Sequence, residues 1–392
     1  MSDIQLGLCC INTVLRARKP TIYCSRTCRL DTYNKKGSGY AKELSVLNIS
    51  DIPKLVDWNI QNNIFVLRLS SDMFPHSVNP RCDGYTLDFC NDQLAEIGQY
   101  CRDRNVRLTF HPGQFNVIGS PKDLVFQNTL LDLERHCDIL DRMGCDQNSI
   151  MVIHGGGVYG DKEKTIKRWC DNFLRLPERV RNRLVLENCE KNFNIEDCLR
   201  VSKIVNIPIV FDTHHFDCYK LLHPEEKFKE ARAYMLPVLT TWRRRNIKPK
   251  FHVSEQGSGR IGHHSDYIEN IPEYLLEIPK KYHTKIDIMI EAKMKEQAIL
   301  RLHEKYAKEL QIPPYDTHNN INNTTEDDND NDYSDNTDND DNDSDNSNND
   351  DNDNDEMFQS FSNMEINNDD NIDNEQEQSS PKELPDDDMD TD

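Results

Sequence analysis

The sequence contains no uninterrupted apolar run long enough to cross a membrane, and no apolar stretch near residue 1 has the form of a secretion signal. Its 13 cysteines are an odd number, and no second cysteine pair has the spacing of a zinc site. We therefore expect neither a membrane protein nor a secreted one. These absences predict an intracellular protein with reduced thiols, and they leave open whether its compartment is cytoplasmic or nuclear.

The end of the chain lacks histidine and cysteine. Residues 321–392 contain 28 of the 69 acidic residues but only one basic residue, Lys382. Residues 329–355 of this stretch are nearly all Asn, Asp and Ser, which cannot bury enough apolar surface to offset the entropy of ordering it. We predict a folded domain at residues 1–312 and a disordered Asn/Asp-rich acidic tail at residues 313–392. The net charge of −22 belongs to the tail, because residues 1–320 carry 46 basic and 41 acidic residues.

Short apolar runs alternate with longer segments of helical periodicity before the tail. The runs lie at residues 4–8, 64–69, 106–110, 150–153, 184–186, 207–211, 250–253 and 286–290, and the helical segments at 87–104, 124–143, 162–174, 195–205, 225–240 and 296–310. Eight strand and helix repeats in about 310 residues predict an α/β fold, the closed (β/α)8 TIM barrel. A doubly wound sheet is the alternative, but it needs a glycine-rich phosphate-binding turn after the first strand. The sequence there is "GLCCIN", which is not such a turn.

Polar residues follow the carboxyl end of most of these runs. They are Asn12, Ser70, Ser71, His111, His154, Glu187, Asp212, His215, His252, Glu255 and Glu291. The strand ends of a barrel converge on one face. Burying so many imidazoles and carboxylates together is costly without cations. The set mixes nitrogen and oxygen ligands without a thiolate, and it exceeds the needs of one tetrahedral ion, so it predicts a cluster of two or three divalent metal ions.

Seven segments strengthen this interpretation by their order in the chain. They are "FHPGQFNVIG", "VIHGGGVYG", "VLENCE", "FDTHH", "KFHVSEQG", "HHSDYI" and "MIEAKMKE". Over residues 4–310 the chain resembles the UV damage endonucleases, which are TIM-barrel DNA repair nucleases related to endonuclease IV. The resemblance implies a metal-dependent hydrolase that nicks the phosphodiester immediately 5′ to a pyrimidine dimer or photoproduct. The implied substrate is double-stranded DNA carrying UV lesions. We also expect a monomer that needs neither a membrane nor an obligatory protein partner.

The resemblance also implies roles for individual residues. The metal ligands would be His111, His154, Glu187, Asp212, His215, His252, His264 and Glu291, with His263 as the alternative to His264. Manganese is the preferred metal, and zinc and magnesium are alternatives. Glu187, Lys250 and Asn12 would be catalytic residues. An equal alternative for Lys250 is that it is only an exposed charge at the start of its strand, as the last residue of the basic run "RRRNIKPK".

The family inserts a pair of side chains into the duplex at the lesion. The matching pair here is Gln114 and Phe115, with Asn12 as a further DNA contact. An aromatic ring can replace base stacking while an amide occupies the polar space of the displaced pair. The alternative for Phe115 is packing beneath its own loop. The chain departs from its relatives at Leu8, where they have an aromatic residue beside the metals, and this departure puts the catalytic rate in question.

Three other functions remain open. An abasic-site endonuclease of the endonuclease IV type would share the barrel and the metals. A sugar isomerase would use two metals, but it has no use for basic loops such as "WRRR" or the cations Arg16, Arg18, Lys19, Arg26 and Arg29. A catalytically inactive DNA-binding barrel is supported only by Leu8.

Overall fold

The computed structural model describes residues 2–313. The predicted acidic tail lies outside the described residues except for Pro313 at its boundary. Within the described part, no helix combines the length and the apolar character that a membrane crossing requires. All 13 cysteines are free.

Strands and helices alternate through the described chain. The strands are β1 (Ile4–Cys9), β2 (Val66–Arg68), β3 (Arg107–Thr109), β4 (Met151–His154), β5 (Leu184–Glu187), β6 (Ile209–Val210), β7 (Lys250–Val253) and β8 (Ile286–Ile290). The α-helices are α1 (Thr13–Arg16), α2 (Leu30–Gln61), α3 (Asn91–Asp103), α4 (Asp123–Arg142), α5 (Lys162–Arg175), α6 (Glu178–Arg183), α7 (Ile195–Val205), α8 (Thr213–Leu222), α9 (Met235–Arg243), α10 (Glu273–Leu276), α11 (Ile278–Tyr282) and α12 (Lys295–Lys305).

All strand pairings are parallel and follow the order of a barrel. They form a five-stranded sheet in the order β3-β2-β1-β8-β7 and a three-stranded sheet in the order β4-β5-β6. Two isolated parallel bridges, Phe110 to Met151 and Asp212 to His252, join the sheets at both edges. We call these contacts the two seams. They close the ring, so the predicted α/β (β/α)8 barrel is confirmed.

The strands are buried on both faces, which explains their nearly unbroken apolar sequences. Every residue of β1 and β8 is buried. The interior also holds charged residues, because strands that are not neighbours touch across it. Arg107 Nη1 donates to Asp287 Oδ2 at 2.6 Å, and Lys250 Nζ donates to Thr109 Oγ1 at 3.1 Å.

Two helical regions differ from the sequence prediction. The long α2 was not predicted, because Gly37 (φ +75°) interrupts it and Pro53 lies inside it. Its apolar face, which includes Ile49, Ile52 and Val56, packs into the core and overrides these weak local preferences.

The predicted helix at residues 225–240 is wrong in its first half, since an α-helix begins only at Met235. Phe228 contributes to the helix-like apolar period but lies in non-helical chain. Its ring packs against Phe216 and Tyr219, with centroid distances of 6.2 and 5.7 Å. The apolar spacing therefore indicated residues that pack into the protein, but tertiary contacts rather than a helix bring Phe228 there.

Candidate metal centre

Glu187, the last residue of β5, lies at the centre of the candidate site. Its side chain is fully buried. One carboxylate oxygen lies 3.0 Å from His111 Nε2, and the other lies 2.9 Å from His252 Nδ1. Because β5 belongs to the three-stranded sheet and both imidazoles follow or belong to strands of the five-stranded sheet, Glu187 connects the two sheets at the ligand-bearing end of the barrel.

Asp212 and His215 lie on the first turn of α8, directly after β6. Asp212 is the N-cap of this helix, and its Oδ1 accepts a hydrogen bond from the His215 backbone N–H at 2.7 Å. The aspartate side chain thus satisfies a free helix N–H while its Oδ2 still points into the site. His215 Nδ1 lies 3.6 Å from a Glu187 carboxylate oxygen.

Asn188 fixes both of these residues from the end of β5. Its side-chain amide donates to the backbone carbonyl of Asp212 and accepts from the Asp212 N–H, each at 3.0 Å. Its own backbone carbonyl lies 3.1 Å from His215 Nδ1. When His215 Nδ1–H donates to that carbonyl, His215 Nε2 is left to bind a metal.

Glu291 follows β8 and completes the ring of carboxylates. One of its oxygens lies 3.3 Å from His252 Nδ1 and accepts a hydrogen bond from Arg68 Nη1 at 2.6 Å. Arg68 ends β2, so its charge reaches Glu291 past the end of the intervening strand β1. At this strand end the sequence pattern pointed to Ser70 and Ser71, and Arg68 was missed because it lies within the apolar run that predicts the strand.

His154 and His264 lie at the edge of the same group. His154 Nε2 is 3.8 Å from a Glu187 oxygen, and its ring centroid is 5.0 Å from that of His111. The ring of His264 is 6.5 Å from that of His215. The alternative residue, His263, turns into its own loop, where its Nε2 accepts from Arg260 Nε at 3.0 Å.

Three overlapping groups of side chains have ligand atoms close enough to share an ion. They are His111 with Glu187 and His252, Glu187 with Asp212 and His215, and Asp212 with His252 and Glu291, with all ligand atoms in each group within 4.8 Å. Each of Glu187, Asp212 and His252 belongs to two groups. This sharing is what adjacent ions bridged by common ligands require. Glu255 belongs to none of these groups, and its Oε1 instead accepts from the backbone N–H of Glu269 and of Asn270.

Buried ligand atoms without hydrogen bonds show that the site suits cations. Among the described residues, they include His252 Nε2, Asp212 Oδ2 and His154 Nδ1. An unbonded polar atom in a protein interior is costly, and a coordinated metal removes that cost. The oxygen and nitrogen donor set fits divalent Mn, Zn or Mg.

Burial and neighbouring charges set the protonation of these ligands. Burial raises the pKa of the Glu187 carboxyl, but the imidazoles of His252 and His154 outweigh burial and hold that pKa well below its usual value. Burial lowers the pKa of His154 to about 4, so this imidazole is neutral near pH 7 and able to bind a metal. Burial also raises the pKa of Asp212 well above its usual value, and a bound cation would reverse that shift.

Lys250 and Asn12 are both buried. Lys250 is an interior residue rather than an exposed charge at the strand entry, and burial lowers the pKa of its ammonium to about 7. Asn12 is the N-cap of α1, where its Oδ1 accepts from the Leu15 N–H at 2.8 Å. Within the described chain, Asn12 Nδ2 is buried without a hydrogen bond. Leu8 is fully buried in the hydrophobic core.

Gln114 and Phe115 form a turn that begins three residues after His111. Gln114 is exposed, whereas Phe115 is half-buried. The Phe115 ring lies against Gly113, because a Cβ added to Gly113 would be 2.6 Å from a ring carbon. The pair therefore lies on the same face as the candidate ligands, with the amide outward and the ring partly covered.

The structure corrects one argument about the basic loops. "WRRR" precedes β7, so it lies at the end of the barrel opposite the candidate ligands. Its arginines are occupied by hydrogen bonds to neighbouring chain, as when Arg243 donates to the Tyr282 carbonyl and Arg245 to the Asn182 carbonyl. These arginines therefore stabilise the fold, and they give no support for DNA binding.

Comparisons with known proteins identify relatives of this chain. The profile of the family described as "UV-endonuclease UvdE" matches residues 4–322. A protein with the provisional name UV-damage endonuclease, from Acanthamoeba polyphaga mimivirus, is 37% identical over 308 residues, which cover 77% of this chain and 91% of the relative. The UV-damage endonuclease of Schizosaccharomyces pombe is 36% identical over 324 residues, which cover 79% of this chain and 51% of the relative.

A solved structure gives the same result. The crystal structure of SacUVDE superimposes with a TM-score of 0.66 at 26% identity, covering 78% of this chain and 99% of that one. This chain spans about half the length of the fungal relative but nearly all of the SacUVDE chain. The chain belongs to the UV-endonuclease UvdE family.

Proposed function

We propose that this member of the UvdE family is a metal-dependent endonuclease that nicks duplex DNA immediately 5′ to a UV-damaged dinucleotide. The observation that carries the proposal is the set of buried, partly unbonded ligand atoms around Glu187. An inactive scaffold would gain nothing from maintaining such a costly arrangement.

The ligand set is proposed to hold two or three divalent ions, preferably Mn²⁺. It consists of His111, His154, Glu187, Asp212, His215, His252, His264 and Glu291. When bound, such ions neutralise charge on the phosphate and stabilise the attacking and leaving oxygens of a displacement. The protein's own contribution is to fix the positions of the ligands, chiefly through Glu187 and through Asn188. We call the contacts of Asn188 with Asp212 and His215 the Asn188 clamp.

Two buried residues are proposed to act on the substrate. The Lys250 ammonium lies two residues before His252 on the same strand, so both side chains point to the same side of β7. Asn12 keeps an unbonded amide N–H group beside the end of β1, and this group is suited to donate to a phosphate oxygen.

The Gln114 and Phe115 turn is proposed to enter the duplex at the lesion. A cyclobutane dimer weakens stacking and pairing locally, so insertion costs least there. The ring of Phe115 is only partly covered, by Gly113 among others, so part of its surface is open for stacking on a base.

The experiment is nicking of UV-irradiated supercoiled plasmid by the Glu187→Gln variant. We expect nicking to fall to the level without protein, because the amide removes the anion shared by two ligand groups. The matched control is Glu255→Gln, a strand-end glutamate outside those groups, and it should nick normally. Nicking by Glu187→Gln at the wild-type rate would disprove the ligand assignment.

The choice of substrate separates the alternatives. Duplexes with one thymine dimer, one abasic site or no damage should be compared with added Mn²⁺. Incision 5′ to the dimer supports the proposal, and incision only at the abasic site would favour the abasic-site endonuclease instead.

A further inference from the structure

The connection from β1 to α2, residues 10–29, displays a group of exposed cations. Arg16, Arg18 and Lys19 are exposed, and we call them the basic segment. Within residues 2–313, none of the three forms an ion pair or a side-chain hydrogen bond. Arg16 does lie over the Tyr23 ring, 5.5 Å from its centroid. These charges are available to an external anion.

Helix α12 holds the start of this connection in place. Glu296 is fully buried, and its carboxylate accepts from the backbone N–H of Thr13 at 2.7 Å and of Val14 at 3.0 Å. A four-residue helix such as α1 does not persist alone, so its position depends on this contact. The anchor lies directly before Arg16.

Helix α2 holds the other end. Buried Asn48 accepts from the Arg26 N–H at 2.7 Å and donates to the Arg26 carbonyl at 2.9 Å. Asp51 accepts from the Tyr23 N–H at 3.2 Å and pairs with the Arg26 guanidinium at 2.7 Å. The basic segment is thus presented between two fixed points, which reduces the entropy lost on binding.

The connection that carries the basic segment begins next to the candidate metal centre. Strand β1 pairs with β8, whose end carries Glu291, and with β2, whose end carries Arg68. The connection therefore leaves the ring beside Glu291, at the ligand-bearing end. Arginines elsewhere, such as Arg243 and Arg245, donate hydrogen bonds to backbone carbonyls, whereas the side chains of these three cations form none within residues 2–313.

We propose that the basic segment binds the phosphate backbone of the duplex that flanks the cleavage point. It adds affinity without preference for damage, and Gln114 and Phe115 supply selectivity for the lesion. This inference rests on the proposed function, since its ligand is the DNA substrate. Adjacent unpaired cations on an anchored surface fit a row of phosphates, which release counterions when they are neutralised.

The test is the salt dependence of DNA binding by the full chain. The variant Arg16→Ala, Arg18→Ala, Lys19→Ala should flatten the plot of log affinity against log salt by roughly one unit per phosphate contact, about three in all. The same flattening should occur with an undamaged duplex and with one carrying a thymine dimer.

Two further variants keep the result interpretable. Lys280→Ala, Lys281→Ala, Lys285→Ala removes the same charge from exposed positions at the opposite end of the barrel and should leave the slope unchanged. The charge-retaining variant Arg16→Lys, Arg18→Lys, Lys19→Arg should also keep the wild-type slope.

An unchanged slope in the alanine variant, or an equal change in the opposite-end variant, would overturn the inference. Nicking of irradiated plasmid by the wild-type protein tests the proposed function separately. A slope change together with wild-type protein that does not nick would leave the phosphate surface standing and remove the proposed chemistry.

Discussion

Asn188 holds two candidate ligands without being a ligand itself. Its side chain bonds to both backbone polar groups of Asp212, and its carbonyl orients His215. No strand-end pattern of acids and imidazoles identifies it, because an asparagine directly after a glutamate is chemically unremarkable until the two strand ends are seen side by side. Residues of this kind orient ligands and so tune how tightly a metal is held.

We expect Asn188→Ala to weaken Mn²⁺ binding by roughly 10- to 100-fold, because Asp212 and His215 lose their alignment. Titration calorimetry with the metal alone measures this change. A purely structural role would only lower stability, by about 2 kcal/mol for two buried hydrogen bonds. Asn194→Ala, which removes the N-cap of α7, is the matched control and should lower stability but keep metal affinity. Equal metal affinity in both variants would count against the clamp.

Glu296 acts at the scale of secondary structure elements, because it joins the first turn of α12 to the first turn of α1. The sequence "EAKMKE" contains both Glu291 and Glu296, and only Glu291 was assigned a role from the sequence. The two glutamates differ in the secondary structure element to which they belong. Glu291 directly follows β8 and faces the ligand group, whereas Glu296 lies within α12 and reaches the neighbouring connection.

Replacing Glu296 with Ala should lower the free energy of unfolding by about 2 kcal/mol, since the N–H groups of Thr13 and Val14 lose the buried carboxylate that accepts from them. Hydrogen exchange of these two amides should accelerate as well, and both quantities are measurable by denaturation and amide exchange. Glu304→Ala, an exposed position on the same helix, should change neither. Unaltered exchange at Thr13 and Val14 would mean that α1 is held by other contacts.

The whole barrel is joined at two seams, each made by a single bridge. The candidate ligands lie across both, with His111 and His154 at one seam and Asp212 and His252 at the other. Bound ions would therefore link the two sheets to each other. The barrel is also mildly basic by its sequence, while the excess negative charge lies in residues outside the described part.

Metal binding should accordingly stabilise the entire barrel. At a free Mn²⁺ concentration about 100 times the dissociation constant, binding should raise the free energy of unfolding by roughly 2.7 kcal/mol, which corresponds to an increase of about 5 °C in Tm. Thermal unfolding with Mn²⁺ and with a chelator measures the shift. Glu187→Gln should reduce it, whereas His223→Ala, in an exposed cluster with Glu225 and Glu226, should not. Identical Tm values with metal and chelator would exclude a metal centre that ties the sheets together.

Much of the fold was predictable from local sequence. Buried parallel strands are apolar on both faces, so runs such as residues 286–290 identify themselves, and β8 has those bounds in the structure. The prediction of a helix at residues 225–240 failed in its first half because tertiary packing, not a helix, partly buries Phe228. The helix α2 was missed because Gly37 and Pro53 conceal a helix that its packed face stabilises.

The order of strands and helices, the polar residues at the strand ends and the separation of charge between residues 1–320 and residues 321–392 are all readable in the amino-acid sequence. These features are local or compositional, and the chain carries them in any conformation. The folded structure was needed to show that His264 rather than His263 approaches His215, and that Asn188 clamps Asp212. It was also needed to show that Arg16 forms no ion pair within residues 2–313, whereas Arg243 donates to the Tyr282 carbonyl. Such distinctions depend on which strand ends and loops meet in space, and closure of the barrel brings together residues far apart in sequence.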